Sequence, residues 1–207
     1  EQRIMKRAMD ILISGAMLIV ASPFMLLTAL AIKLEDHGPA LFKQERVTIG
    51  GKKFYIYKFR SMIVDAEKNG AQFSTKNDSR ITKVGKFIRA TRLDELPQVA
   101  QIFTGKMSKI GPRPALWNQY DLIEERDKYG ANDVTPGLTG WAQVNGRDEL
   151  EIPVKARLDG EYVQHLGFAM DLKCFLRTIT SVLGHEGEVE GGTGALHEAE
   201  QQKNQTK

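Results

Sequence analysis

Cysteine is almost absent from the 207 residues: Cys174 stands alone, so no disulfide can form within the chain. A fold without cross-links suits a reducing compartment. The four histidines, His37, His165, His185 and His197, lack the spacing of metal ligands. There is no P-loop, no G-x-S-x-G, no G-x-G-x-x-G and no internal repeat. These absences set aside P-loop nucleotide hydrolysis, a serine-hydrolase elbow, a dinucleotide-binding fingerprint and a repeat architecture.

Apolar residues make up 42% of the chain, enough for one domain with a core, or a domain plus an appendage. The formal net charge of +3 is unevenly spread. Residues 184–207 are rich in glycine and glutamate and read as a disordered tail that is net negative, so the body before it carries the positive excess. A basic body suits phosphates, nucleic acid or acidic lipid, although charge alone also fits an ordinary solvated surface.

One long apolar run dominates the N-terminal region. Ile11 to Ile32 is ILISGAMLIVASPFMLLTALAI, and about 20 such residues suffice for a spanning helix. Ser22-Pro23 interrupts it in the middle. Proline has no N–H and clashes with the preceding turn, so a kink or break falls there, and Ser22 can serve the freed backbone groups. Both flanks are basic, with Arg3, Lys6 and Arg7 before the run and Lys33, Lys43, Arg46, Lys52 and Lys53 after it. Positive flanks favour the cytoplasmic side. Two readings stay open on physical grounds: a kinked helix that spans, and a helix that breaks at Ser22-Pro23 and returns. Asp10, at the edge of the run, is placed to cap or to meet a cation.

Farther on, Gly50-Gly51 reads as a hairpin turn between apolar strands within 38–62. Residues 80–92, RITKVGKFIRATR, form an amphipathic pattern with cations at steps of three, suited to a membrane surface or to a soluble surface helix. A second helix is expected over Leu93–Phe103, with Pro97 in its first turn and Gly105 ending it. Gly111-Pro112-Arg113-Pro114 is a rigid extended element. Helices are expected over 117–129, 154–165 and 170–183.

The strongest chemical feature is Asp94-Glu95, directly after the basic segment. A helix start and neighbouring Arg89 and Arg92 keep such carboxylates ionised, fit to bind Mg²⁺ or to attack phosphorus. The bland alternative is helix capping by a surface pair. Lys58 and Arg60 in YKFRSM, Arg113 in GPRP and Arg147 in QVNGR add cations on rigid elements. Together with an apolar anchor they point to phosphoryl transfer at a membrane surface.

KRAMDI, the run with central Ser22-Pro23, YKFRSM, RLDELPQ, IGPRP, PGLTGWAQVNGR and MDLK follow one another here. In that order they resemble the bacterial sugar transferases, the monotopic polyprenol-phosphate phosphoglycosyl transferases, over roughly residues 3–183. The resemblance implies an α+β, mostly helical fold: a re-entrant membrane helix-break-helix at Ser22 and Pro23, interfacial amphipathic helices and a small β element. It implies an anchor over 1–36, a cytosolic catalytic domain over 37–183 at the bacterial inner membrane, and the tail over 184–207. It implies that Asp94 is the nucleophile, forming a phosphosugar–aspartyl intermediate, that Glu95 assists, and that both hold Mg²⁺. Lys58, Arg89 and Arg113 would hold phosphates, Arg60 would belong to the substrate-binding set, Gln143 and Arg147 would line the nucleotide-sugar site, and Asp171, also in that set, matches an acidic position of the family. The expected partners are a UDP-sugar, a polyprenol phosphate and membrane lipid, with no nucleic acid; a homo-oligomer stays open. Transfer through a ternary complex and a non-catalytic basic membrane adaptor are the competing readings.

Overall fold

The structure, a computed structural model, describes residues 2–69, 78–146 and 150–183. Helix α1, Gln2–Asp36, runs through Pro23 as one element. At about 1.5 Å per residue it would reach roughly 50 Å if straight. The expected interruption at Ser22-Pro23 is therefore not an end to the helix. Its local chemistry is as anticipated: Pro23 leaves the Ile19 carbonyl without its usual amide partner, and Ser22 Oγ donates to that carbonyl at 2.9 Å. The helix is long and apolar enough to cross a membrane, and only 11% of its apolar window is buried. A core helix of a soluble domain would hide most of that surface.

Beyond α1 the described chain is mostly helical, with two small sheets. Strands β1, Leu41–Val47, and β2, Lys53–Phe59, form an antiparallel hairpin in which Leu41 faces Phe59 and Val47 faces Lys53. The turn falls at Ile49–Gly51, where the glycine pair placed it. Alternation along β2 buries Ile56 and Lys58 on one face and leaves Tyr55 and Tyr57 outside. Beyond the hairpin comes the helix expected over residues 80–92, which is shorter than its cation pattern: α2 is Lys83–Ala90, with Thr82 as its cap. Arg80 lies before the cap and pairs with Asp78, and Arg92 lies past the end in a left-handed conformation, φ 60°. Gly85 weakens α2 as an isolated helix, but a Cβ there would meet the Ser61 carbonyl at 1.9 Å. That close approach packs α2 on the chain leaving β2.

A 3-10 turn over Leu93–Glu95 follows, and α3, Pro97–Phe103, opens with Pro97 in its first position. Proline is favoured there because that N–H has no helical partner in any case. Strand β3, Ser108–Ile110, pairs in parallel with β4, Gly137–Thr139. Gly137 is pressed so closely on Gly111 that a Cβ would lie 2.1 Å from the Gly111 amide. Helices α4, Tyr120–Asp127, α5, Trp141–Val144, α6, Ile152–Gln164, and α7, Phe168–Leu183, complete the described chain.

Two apolar clusters matter for the site. Ile32 of α1 packs with Phe59, Ile88, Leu93 and Leu96. Ile110, Trp141, Tyr162 and Cys174 join β3, α5, α6 and α7. Contacts at both ends of α1 fall on this body. Arg7 donates to the carbonyls of Ile102 and Phe103 at 2.6 Å each, and Asp10 accepts from Ser108 Oγ at 2.7 Å, with Lys109 Nζ at 3.7 Å. Asp10 thus meets the nearby cation that its position at the edge of the apolar run foreshadowed. At the other end, Asp36 pairs with Arg60.

Candidate active site

Asp94 and Glu95 sit on the 3-10 turn between α2 and α3. Asp94 is 4% exposed, far from the solvated surface pair that capping alone would give. The turn is set by its neighbours: Leu93 and Leu96 point into the cluster around Ile32, and left-handed Arg92 reverses the chain just ahead of it. A non-glycine residue with positive φ costs free energy that surrounding contacts must offset, and such positions cluster at functional sites.

Glu95 gathers cations from two other elements. Its Oε1 accepts from Arg113 Nη2 at 2.6 Å and lies 3.5 Å from Lys58 Nζ. Lys58 is buried because β2 alternation turns it inward. Arg113 comes from the Gly-Pro-Arg-Pro segment after β3, and its Nη1 also reaches the Leu138 carbonyl of β4 at 3.3 Å. The arrangement sets Glu95, the neighbour of buried Asp94, against two cations whose side chains are at most 16% exposed, so these interactions are stronger than those of a solvated pair. Behind Arg113, Arg126 donates to its carbonyl at 2.8 Å and pairs with fully buried Asp159 at 2.6 Å. That ion pair joins α4 to α6 and fixes the segment that carries Arg113. At Asp159 burial pushes the carboxyl pKa up, while the Arg126 guanidinium opposes that shift.

Arg89 Nε donates to Ser61 Oγ at 2.7 Å, on the chain just past β2. Gln143 on α5 is 8% exposed, and neither end of its amide has a hydrogen-bond partner among the described residues. A buried amide left open in this way is fit to take a polar ligand. Arg147 falls outside the described residues.

Two expected site residues are placed elsewhere. Arg60 donates through Nε to the Pro39 carbonyl at 2.6 Å and through both terminal nitrogens to Asp36, so it fastens β2 to the end of α1. Asp171 pairs with Lys6 at 2.5 Å and accepts from Tyr162 Oη at 2.7 Å, tying α7 and α6 to the start of α1. Burial and the Asp171 charge raise the Tyr162 pKa, which keeps this phenol a donor. Neither residue contacts the acidic turn through these bonds.

Sequence reasoning missed Gln98, one turn after Asp94. It is 1% exposed, and its Nε2 has no partner among the described residues. The available signal was helical spacing: positions 94 and 98 share a face. Gln101, also unremarked, completes the open edge of β2 by donating to the Tyr55 carbonyl at 2.6 Å and accepting from the Tyr57 amide at 3.1 Å.

The bacterial sugar transferase family matches residues 1–185, which contain all of these groups. The chain belongs to this family. A UDP-N-acetylgalactosamine-undecaprenyl-phosphate N-acetylgalactosaminephosphotransferase of Aeromonas hydrophila is 41% identical over 186 residues, covering 86% of this chain and 43% of that protein. The UDP-glucose:undecaprenyl-phosphate glucose-1-phosphate transferase of Escherichia coli K12 is 40% identical, covering 86% of this chain and 40% of that protein. The sugar transferase EpsL of Bacillus subtilis is 37% identical, and there the match covers 89% of this chain and 90% of the relative. The chain thus spans about two fifths of the Aeromonas and Escherichia relatives and most of the Bacillus one.

Proposed function

We propose that this chain moves a sugar-1-phosphate from a UDP-sugar onto undecaprenyl phosphate and releases UMP, with Asp94 as the nucleophile. The observation that carries this reading is the Asp94-Glu95 turn, with Asp94 buried and Glu95 held between Arg113 and Lys58. The substrate class is that named for the Aeromonas and Escherichia relatives.

In this scheme an Asp94 oxygen attacks the phosphorus that bears the sugar. The bond from that phosphorus to the bridging oxygen breaks, and UMP leaves with the electron pair. A phosphate oxygen of undecaprenyl phosphate then attacks the same phosphorus and displaces Asp94, which restores the carboxylate. Lys58 and Arg113 offset the charge of the diphosphate, and Glu95 holds the two cations on either side of the reacting centre. Gln143 offers both halves of an amide to the nucleotide or the sugar.

The donor set fits Mg²⁺. Among the described residues no group of three or more His, Cys, Asp or Glu could enclose an ion. Mg²⁺ is usually held by one or two carboxylates with substrate phosphates completing its shell, which is what Asp94 and Glu95 can offer. When bound, the ion would neutralise charge on the departing phosphate.

For the anchor we propose the re-entrant path, in the inner membrane with the catalytic domain on the cytoplasmic side. Contacts from Arg7 and from Asp36, at opposite ends of α1, fall on one body. Both ends therefore belong on one side of a bilayer, and the exposed apolar middle, including Ile19, Val20, Phe24, Leu26 and Leu27, belongs in lipid. A site at headgroup level spares the prenyl chain from water, at about 0.8 kcal/mol per CH₂.

The test is product analysis: the protein in lipid nanodiscs, Mg²⁺, undecaprenyl phosphate and a panel of UDP-sugars. A lipid-linked sugar phosphate appearing in step with UMP supports the reading. Lipid binding without product from any donor would move the weight to a non-catalytic membrane adaptor.

A further inference from the structure

The end of α1 reaches the acidic turn through contacts that the reaction scheme leaves without a role. Glu35 Oε1 accepts from the Lys83 amide at 2.8 Å, and Oε2 accepts from the Val84 amide at 3.0 Å. Thr82 Oγ1 takes the next amide, that of Gly85, at 2.9 Å. The first amides of α2, which lack helical partners, thus end on fixed acceptors, and a carboxylate sits where the helix dipole favours it. Glu35 lies 48 residues before Lys83, so this is a tie between distant elements and not a local cap.

The next residue makes a second tie. Asp36 grips both terminal nitrogens of Arg60, two positions beyond Lys58 on the chain leaving β2. Between the ties, Ile32 packs with Phe59, Ile88, Leu93 and Leu96, and the last two flank Asp94 and Glu95. Two adjacent carboxylates therefore hold the nucleophile side and the cation side of the site to one point, the end of the apolar helix.

We propose that Glu35 is a positioning residue for the transfer site: it fixes the start of α2 and, through this two-turn helix and left-handed Arg92, the placement of the turn that carries Asp94 and holds Glu95 against Lys58 and Arg113. The inference rests on the functional reading above. Glu35 is itself exposed and makes its bonds at the surface, so its removal leaves the core intact. A misplacement of about 1 Å at a reacting group can cost about 10²-fold in rate, so a loosened α2 is felt in turnover before it is felt in stability.

The experiment compares wild type, Glu35→Gln and Glu35→Asp, each as the full chain in nanodiscs with undecaprenyl phosphate, UDP-glucose or UDP-N-acetylgalactosamine as donor, and Mg²⁺. Turnover, donor KM, thermal unfolding and amide hydrogen exchange are read together. For Glu35→Gln the expected result is a fall in kcat of about fivefold or more with donor KM within about twofold. Unfolding is unchanged, and amide exchange is faster over residues 83–96 only. Glu35→Asp, which keeps the charge, recovers part of kcat. An unchanged kcat in an active background overturns the inference alone, as does a loss of kcat that tracks a loss of folded protein. A wild type that turns over no donor overturns the functional reading and this inference together.

Discussion

Arg113 Nη2 donates to Glu95 Oε1 at 2.6 Å, and through that bond the rigid segment after β3 is joined to the turn that carries Asp94. The same guanidinium reaches the Leu138 carbonyl, so its plane is held from two sides. Lysine would keep the charge but lose the fork. Arg113→Lys should lower kcat/KM for the UDP-sugar by about 10- to 100-fold, or about 1.4–2.7 kcal/mol in transition-state stabilisation. Steady-state UMP release checks this. An unimpaired Arg113→Lys would mean that the fork holds structure and not substrate.

The anchor gives a second prediction. In a Cys174→Ser background, single cysteines at Arg3 and at His37 should be labelled by a membrane-impermeant maleimide from the same face of inverted vesicles. Replacing Ser22 and Pro23 by alanine restores an unbroken hydrogen-bond ladder and should move the Arg3 site to the opposite face in a fraction of the molecules. Opposite faces in the parent protein would establish a spanning helix.

Arg126 and Asp159 form a buried ion pair behind Arg113. Removing one member leaves a buried charge unpaired. Arg126→Met should cost about 3–5 kcal/mol, read as a lower urea midpoint. The double variant Arg126→Met/Asp159→Leu should recover much of that loss while staying impaired in turnover, because the Arg113 carbonyl has lost its donor.

Arg80 hydrogen bonds hold the Asp78 carboxyl down to about 2. A folded pKa below the unfolded one means that the pair stabilises the fold above the ordinary carboxylate range and loses that contribution as pH falls through the folded value. The stability gap between wild type and Asp78→Asn should be full at neutral pH and close between about pH 4 and pH 2. Chemical denaturation at stepped pH reads it, and a gap that persists at the acid end would contradict the pairing.

What could be read from sequence was local. The Gly50-Gly51 turn, Pro97 at a helix start and Gly105 past the end of α3 each follow from the backbone preferences of single residues. Ser22 serving the carbonyl freed by Pro23 follows from adjacency along a helix. The cations were harder. Lys58 and Arg60 are two residues apart on one motif, yet one meets Glu95 and the other meets Asp36. Nothing in spacing assigns partners that lie tens of residues away. Asp171 is the extreme case: its partner Lys6 is 165 positions distant. The helix over residues 80–92 came out short for a related reason. Its cation repeat begins before the cap at Arg80 and ends past the helix at Arg92, but the tie of Arg80 to Asp78 and the left-handed turn at Arg92 end the helix on both sides.

The central claim is that Asp94 carries the transfer. The most direct measurement is UMP release from a UDP-sugar by wild type and by Asp94→Asn, with and without undecaprenyl phosphate, in the same nanodiscs. The transfer reading predicts sustained release by wild type with the acceptor, a single stoichiometric burst without it, and no release by Asp94→Asn in either case. Release by Asp94→Asn at the wild-type rate would contradict it.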